Sequence, residues 1–193
     1  MEIDQAELLK NIAAFLDKNK IPYMLTGALS VVYYGRPRAS HDIDFVVEIQ
    51  KNEVKRILRA FKTLQTEYLL QLETIEEAIK TKGMFNIVYL PTYLKLDFWL
   101  LTDDPFDKER FKRRQRVKLL DQFMTISTPE DTIIQKLRWY KEAKIEKHLV
   151  DAAFVYQIQK KGLDQKHLKD WIKKLKLTRL FQQLHKIDLE KYL

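Results

Sequence analysis

Cysteine is absent from this 193-residue chain, and glycine (four), proline (five) and histidine (four) are scarce. The missing thiols exclude disulfides, thiolate zinc sites and cysteine nucleophiles, and they suit a reducing compartment. The few histidines are scattered, so neither a zinc-ligand spacing nor a Ser-His-Asp grouping can be drawn, and His41 reads as a loop residue. No run of eighteen apolar residues occurs, and the opening MEIDQAELLK is amphipathic rather than charged and then apolar as in a leader. The expectation is a soluble, unprocessed, cytoplasmic protein without a membrane partner.

What the chain does hold is 46% hydrophobic residues, enough for one compact core or for one with a smaller domain appended. Its formal charge is +8, unevenly placed: through residue 105 there are 13 basic and 15 acidic residues, and after it 22 and 12. A basic part beside a slightly acidic one suggests a polyanion held by one and worked on by the other. A lysine-rich solubility face accounts for the charge equally well.

Apolar residues at helical spacing predict a helix over Asp4–Asn19, ended by Pro22. "PYMLTG" reads as a strand running into Gly27, "ALSVVYY" as a short helix and "RPRASH" as loop. "DIDFVVEI" is a β-branched, alternating strand. Helices follow at Asn52–Leu64 and Glu73–Thr81, then the strand-like runs "MFNIVYL" and "YLKLDFWLL". "DPFDKERFKRRQR" predicts a basic helix and "VKLLDQFMTIS" a hairpin or edge strand. From Thr128 the pattern is wholly helical, beginning with a capping residue, a proline and two acids, with further helices at Glu146–Lys161, Asp164–Lys176 and Thr178–Ile187. The expected class is α+β: a mixed sheet with flanking helices in residues 1–126, and a helical domain in residues 127–193.

Side chains two apart on a strand share a face. Asp42 and Asp44 therefore lie opposite Ile43, Phe45 and Val47, and Asp97 lies opposite Leu96 and Phe98. Carboxylates gathered on a sheet repel one another, and a hard divalent cation with oxygen ligands offsets that repulsion. Two such ions can activate an attacking oxygen and stabilise a leaving one. Ion pairs to Arg36, Arg38 or Lys95 would offset the charge as well. A strand ending in Thr26-Gly27-Ala28 before a short helix offers backbone N–H groups to phosphates. The phosphate turn, the Asp-x-Asp pair and a later acid make a narrow combination.

"TGALS", "DIDFV" and "KLDFW" resemble the nucleotidyltransferase superfamily of DNA polymerase β. The longer stretches "GALSVVYYGRPRASHDIDFVV", "LDFWLLTDDPFDKERFKRRQR" and "STPEDTIIQKLRWY" are similar to small prokaryotic nucleotidyltransferases related to abortive-infection toxins. The resemblance implies a nucleotidyltransferase-like catalytic domain and a helical domain facing across a cleft. It implies Mg²⁺ (or Mn²⁺) on Asp42 and Asp44, with Asp97 completing the metal site or deprotonating the acceptor hydroxyl, and nucleotide phosphates on Gly27 and Ala28. A nucleoside monophosphate would pass from a nucleoside triphosphate to a hydroxyl, releasing pyrophosphate. Ala28 departs from the usual Gly or Ser and brings no hydroxyl, for which Ser30 or Thr26 is the candidate substitute.

Arg38 matches an arginine of the resembling sequences and is a candidate for the triphosphate or for a carboxylate. Lys136 lies off its helix's apolar stripe, and relatives direct a lysine there at phosphates. Asp151 falls where the resemblance places an acid, a candidate partner of Lys136 or Lys147. Arg110, Lys112, Arg113, Arg114 and Arg116 form the densest basic run, suited to an RNA backbone or to a solvated face. The expected function is Mg²⁺-dependent nucleotidyl transfer to RNA such as tRNA, as toxin of a pair with a cognate antitoxin. The alternatives are a catalytically silent nucleotide- or RNA-binding module and transfer to a small antibiotic.

Overall fold

The alternation of apolar and polar residues builds a seven-stranded mixed sheet from β1 (Tyr23–Leu25), β2 (Asp42–Val47), β3 (Tyr68–Leu69), β4 (Met84–Tyr89), β5 (Leu94–Leu100), β6 (Gln115–Leu119) and β7 (Gln122–Ile126), in the order β3-β4-β5-β2-β1-β7-β6. The computed structural model describes residues 5–40 and 42–192; Asp4 and His41, named above, lie outside them. β2 runs parallel to β5, and β1 to β7, while the remaining neighbours are antiparallel. The chain divides into two compact units, Met1–Thr26 with Ser40–Ile126, and Gly27–Ala39 with Ser127–Leu193. Segment 27–39 thus groups with the C-terminal helices, which a single cut after residue 126 does not anticipate.

In the first unit one face of the sheet is core. Phe45, Phe85 and Phe98, one from each of three adjacent strands, stack with centroids 5.2 and 4.9 Å apart and nearly parallel rings. Phe61 of α3 (Val54–Lys62) meets Phe85 and Phe98 edge-on, and Phe15 of α1 (Gln5–Lys18) meets Phe61. α4 (Leu72–Thr81) adds buried Ile75, Ala78 and Ile79. Each fully buried Phe or Ile side chain contributes about 1.5–3 kcal/mol by leaving water, so this face holds the strands in register. Toward one end of the opposite face, Phe111 of α5 (Pro105–Arg113) packs on Met24 and Val46.

Local chemistry sets the element ends. Asp104 caps α5 by accepting from the N–H groups of Phe106 and Asp107. Leu120 and Asp121, both at positive φ, form the tight turn that joins β6 to β7 as the expected hairpin. The two-residue β3 was not anticipated, because a pairing that short leaves no periodicity to read.

The second unit contains α2 (Gly27–Tyr34), α6 (Pro129–Ala143), α7 (Glu146–Gln159), α8 (Gln165–Lys174) and α9 (Thr178–Phe181). Thr128 caps α6 as its sequence suggests, accepting from the Asp131 N–H while its hydroxyl donates to the Asp131 carboxylate. α6 packs along α7, and α2 packs on both. Gly35 permits that approach: a Cβ there would lie 2.9 Å from the Val31 carbonyl oxygen and 3.2 Å from a Val155 methyl. The helix expected over Thr178–Ile187 breaks after Phe181 into a 3-10 turn at Leu184–Lys186. The Gln157 amide donates to the carbonyls of both Leu184 and Ile187, holding them away from a helical ladder. Among the described residues no helix is long and apolar enough to cross a membrane.

Candidate active site

The register of β2 and β5 decides what the three aspartates do. Asp42 stands opposite Lys95 and Asp44 opposite Asp97, so Asp44 and Asp97 occupy adjacent strands at the same level and on the same face. Neighbouring strands lie about 4.8 Å apart, a separation at which two carboxylates repel. Asp42 and Asp44 are half-buried, and Asp97 is 7% exposed. The three share one face, as the alternation predicts, while Ile43, Phe45, Leu96 and Phe98 fill the core behind them.

Burial pushes the Asp97 carboxyl above its usual range, and the Asp42 charge adds to that, against the opposing pull of Lys95. Lys95 Nζ lies 3.1 Å from Asp97 Oδ2 and is itself raised, chiefly by that hydrogen bond. The other carboxylate oxygen, Oδ1, is buried with no hydrogen-bond partner. An all-oxygen donor set with an unused buried acceptor suits a hard divalent cation. Among the described residues, however, no three His, Asp or Glu side chains converge on a single point, and the cation held beside Asp97 is the Lys95 ammonium.

β1 leads directly into α2, and Thr26 N–H donates to the Asp44 carbonyl at 3.1 Å. Gly27 has φ +63°, a left-handed conformation costly for residues with a Cβ, which explains glycine at the first residue of α2. Ala28 is buried. The Ser30 hydroxyl donates to the Gly27 carbonyl at 3.0 Å, so its proton is already committed to the turn.

A second polar cluster lies wholly within the helical unit. The Asp151 carboxylate is fully buried and its Oδ2 accepts from Lys136 Nζ at 2.9 Å and Arg38 Nη2 at 3.1 Å. The pairing of Asp151 with Lys136 agrees with the sequence expectation, and Arg38 is the second partner. Lys136 Nζ also lies 5.1 Å from the Trp139 ring centroid. His148, 5.4 Å from Trp139, is held below its usual pKa by burial and then by Lys136. Asp151 Oδ1 and Arg38 Nε are buried without hydrogen-bond partners. Arg36, an alternative partner for the aspartates, lies 4.3 Å over the Phe154 ring and donates to the Tyr192 carbonyl.

The basic run does not form one RNA-facing helix. Arg110 is 6% exposed and donates through Nε to Asp107 Oδ1 at 2.9 Å, which corrects its candidacy as a surface contact. Arg114 lies 4.0 Å over the Phe111 ring and donates to the Phe111 carbonyl. The cause is local: α5 turns Phe106 and Phe111 inward, and their neighbours follow. α5 also stops at Arg113, so Arg116 lies on β6. Arg113 is half-buried, and Lys112 and Arg116 remain exposed. The site residues missed in the sequence are Asn86, paired in register with Asp97, and His148. Neither belongs to a motif; strand register and helix packing reveal them.

The fold is shared with solved nucleotidyltransferases of distant sequence. The antibiotic-resistance factor ANT(2'')-Ia superposes with a TM-score of 0.60 at 13% identity, covering 94% of this chain and 96% of that one. An antigenic nucleotidyltransferase-like protein from Paracoccidioides brasiliensis gives 0.56 at 15% identity, covering 92% and 90%. The lincosamide antibiotic adenylyltransferase LnuA gives 0.52 at 14%, covering 82% and 99%. No curated protein sequence matches significantly. The profile described as "Nucleotidyl transferase AbiEii toxin, Type IV TA system" matches residues 8–190. With acid-bearing strands, a glycine-initiated helix and a match over nearly its whole length, the chain belongs to the AbiEii nucleotidyltransferase toxin family.

Proposed function

We propose that this nucleotidyltransferase moves a nucleoside monophosphate from a nucleoside triphosphate to a hydroxyl of RNA, with Mg²⁺ or Mn²⁺ bound by Asp42, Asp44 and Asp97. The observation that carries the proposal is the pairing of Asp44 with Asp97 beside Asp42 on one partly exposed face. A bound divalent cation neutralises the phosphates and favours the attacking and leaving oxygens. The chain's part is positioning: the aromatic core behind β2 and β5 fixes the three carboxylates, and Asp97 Oδ1 retains an acceptor site for a cation or for the acceptor's proton.

Gly27 and Ala28 offer backbone N–H groups at the start of α2 to the phosphates. Arg38 and Lys136, held together by the Asp151 carboxylate, are the candidate cations for the phosphates. Lys112 and Arg116 are the exposed cations of the basic run left for an RNA backbone. The match to a type IV toxin–antitoxin family supports a cognate antitoxin as partner.

The second reading, a silent nucleotide- or RNA-binding module, is favoured by the Lys95 ammonium on Asp97 and by Ser30's committed hydroxyl. The two readings separate when the protein is incubated with α-labelled nucleoside triphosphates, Mg²⁺ and total cellular RNA. Label should enter RNA, vanish with chelator and vanish in Asp44→Asn. RNA that stays unlabelled with every nucleotide sinks the RNA-transfer reading, and label entering an aminoglycoside or lincosamide added in place of RNA supports the small-molecule alternative named above.

A further inference from the structure

β3 pairs with β4 only at Tyr68–Tyr89 and Leu69–Val88, after which the chain turns into α4. At this edge lies a cleft of about 210 Å³ lined by Leu69, Leu70, Gln71, Thr74, Asn86 and Val88. Two of these residues connect it to the carboxylates: Asn86 is the register partner of Asp97 and Val88 that of Lys95. Directly opposed side chains on antiparallel strands stand roughly 5 Å apart on a common face. The cleft is therefore next to Asp97, on the side away from β2.

That order assigns sides. Across the sheet come β1, whose end leads to the phosphate turn, then β2 with Asp42 and Asp44, then β5 with Asp97, then β4 with Asn86. If nucleotide phosphates lie toward β1, the attacking hydroxyl comes from the Asp97 side, and whatever carries that hydroxyl extends over β4. The lining contains no ionisable group, which gives a polycationic acceptor nothing to pair with. It offers two side-chain amides, a hydroxyl and the aliphatic walls of Leu69, Leu70 and Val88. The Thr74 hydroxyl donates to Gln71 Oε1 at 3.2 Å, leaving the Gln71 amide nitrogen as a donor. Paired amide donors and acceptors between apolar walls are what reads the edge of an unstacked base.

We propose that this cleft seats one unpaired, neutral nucleobase of the acceptor RNA, with Gln71 and Asn86 reading its edge, and so sets which RNA end is modified. The proposal rests on the nucleotidyltransferase reading above and is tested so that the two can fail separately. Single-stranded RNA carrying 4-thiouridine at its terminal nucleotide is irradiated with the full-length protein, and the crosslinked peptides are mapped. Crosslinks should fall within residues 69–74 or 86–88. Gln71→Leu and Asn86→Leu, at exposed positions, should each raise the acceptor KM about tenfold, the loss of one base-edge contact, without changing the KM for the nucleoside triphosphate. Crosslinks confined to other segments, or unchanged acceptor KM in both variants, overturn the cleft assignment and leave the transferase intact. Crosslinks in the cleft without any nucleotidyl transfer sustain the base site and overturn the transferase reading instead. Crosslinking abolished by an aminoglycoside bound in the cleft would assign the site to an antibiotic and refute the RNA proposal.

Discussion

The two acid clusters of this protein differ in how far their carboxylates are enclosed. Around Asp97, which pairs with Lys95, the Asp42 and Asp44 carboxylates share a sheet face that stays partly exposed. Around Asp151, two cations and a neighbouring histidine face one carboxylate, and the carboxylate is fully sealed. In the first arrangement the aromatic core behind the strands holds Asp44 level with Asp97. The second binds residues distant in sequence, Arg38, Lys136 and Asp151, through one buried oxygen. Acids aligned on a partly exposed sheet face belong to chemistry; a carboxylate enclosed by its partners is also a structural tie.

This contrast breaks most visibly at Asp151. Asp151→Ala removes the buried carboxylate that Arg38 and Lys136 share, and denaturant unfolding should show a loss of about 3–5 kcal/mol. A loss below about 1 kcal/mol would mean that the cluster ties nothing together. The opposite signature is expected at Asp44→Asn, where label transfer to RNA should fall about 10²–10³-fold while the thermal midpoint holds. A drop in both would place Asp44 among the structural residues.

His148 sharpens the same comparison through pH. Its folded pKa is lowered below the ordinary 6.5 by burial and by the charges of Lys136, Lys147 and Arg38, with Asp151 opposing. The unfolded chain therefore takes up the proton first, so stability is fully present above about pH 6.5 and is lost as pH falls from there through the folded pKa. His148→Phe should flatten that part of the stability profile in circular dichroism melts; an unaltered slope would show that another group titrates. The smallest effects belong to the basic run. Lys112→Ala and Arg116→Ala should each reduce the salt dependence of RNA binding by about one unit of slope and leave melting unchanged. Arg110→Ala should instead destabilise, since it breaks the buried pair with Asp107.

The strands that carry function were legible because their periodicity is strong. "DIDF" and "LKLDFWL" alternate, so the common face of Asp42 and Asp44 and the face of Asp97 followed from counting, while the burial of Asp97 did not. The capped start of α6 was equally plain, since Ser127, Thr128 and Pro129 precede two acids. β3 and the broken helix after Phe181 were not, because one is two residues long and the other is set by Gln157 from α7. The basic run misled for a related reason: charge counts along a chain do not say which arginine lies under a phenylalanine or beside Asp107.

The sequence by itself determined the α+β class, the acids on the sheet, the glycine that begins α2 and the family resemblance, since these depend on neighbours within a few residues. Only the tertiary structure decided that Asp44 stands level with Asp97, that Lys95 rather than a distant arginine lies against Asp97, that Arg38 and Lys136 share Asp151, and that Asn86 brings a neutral cleft to the edge of the acids. Strand register and helix packing bring together residues dozens of positions apart. Those choices are made by the burial of Phe45, Phe85 and Phe98 and by the packing of α2 on α6 and α7, which no local spacing encodes.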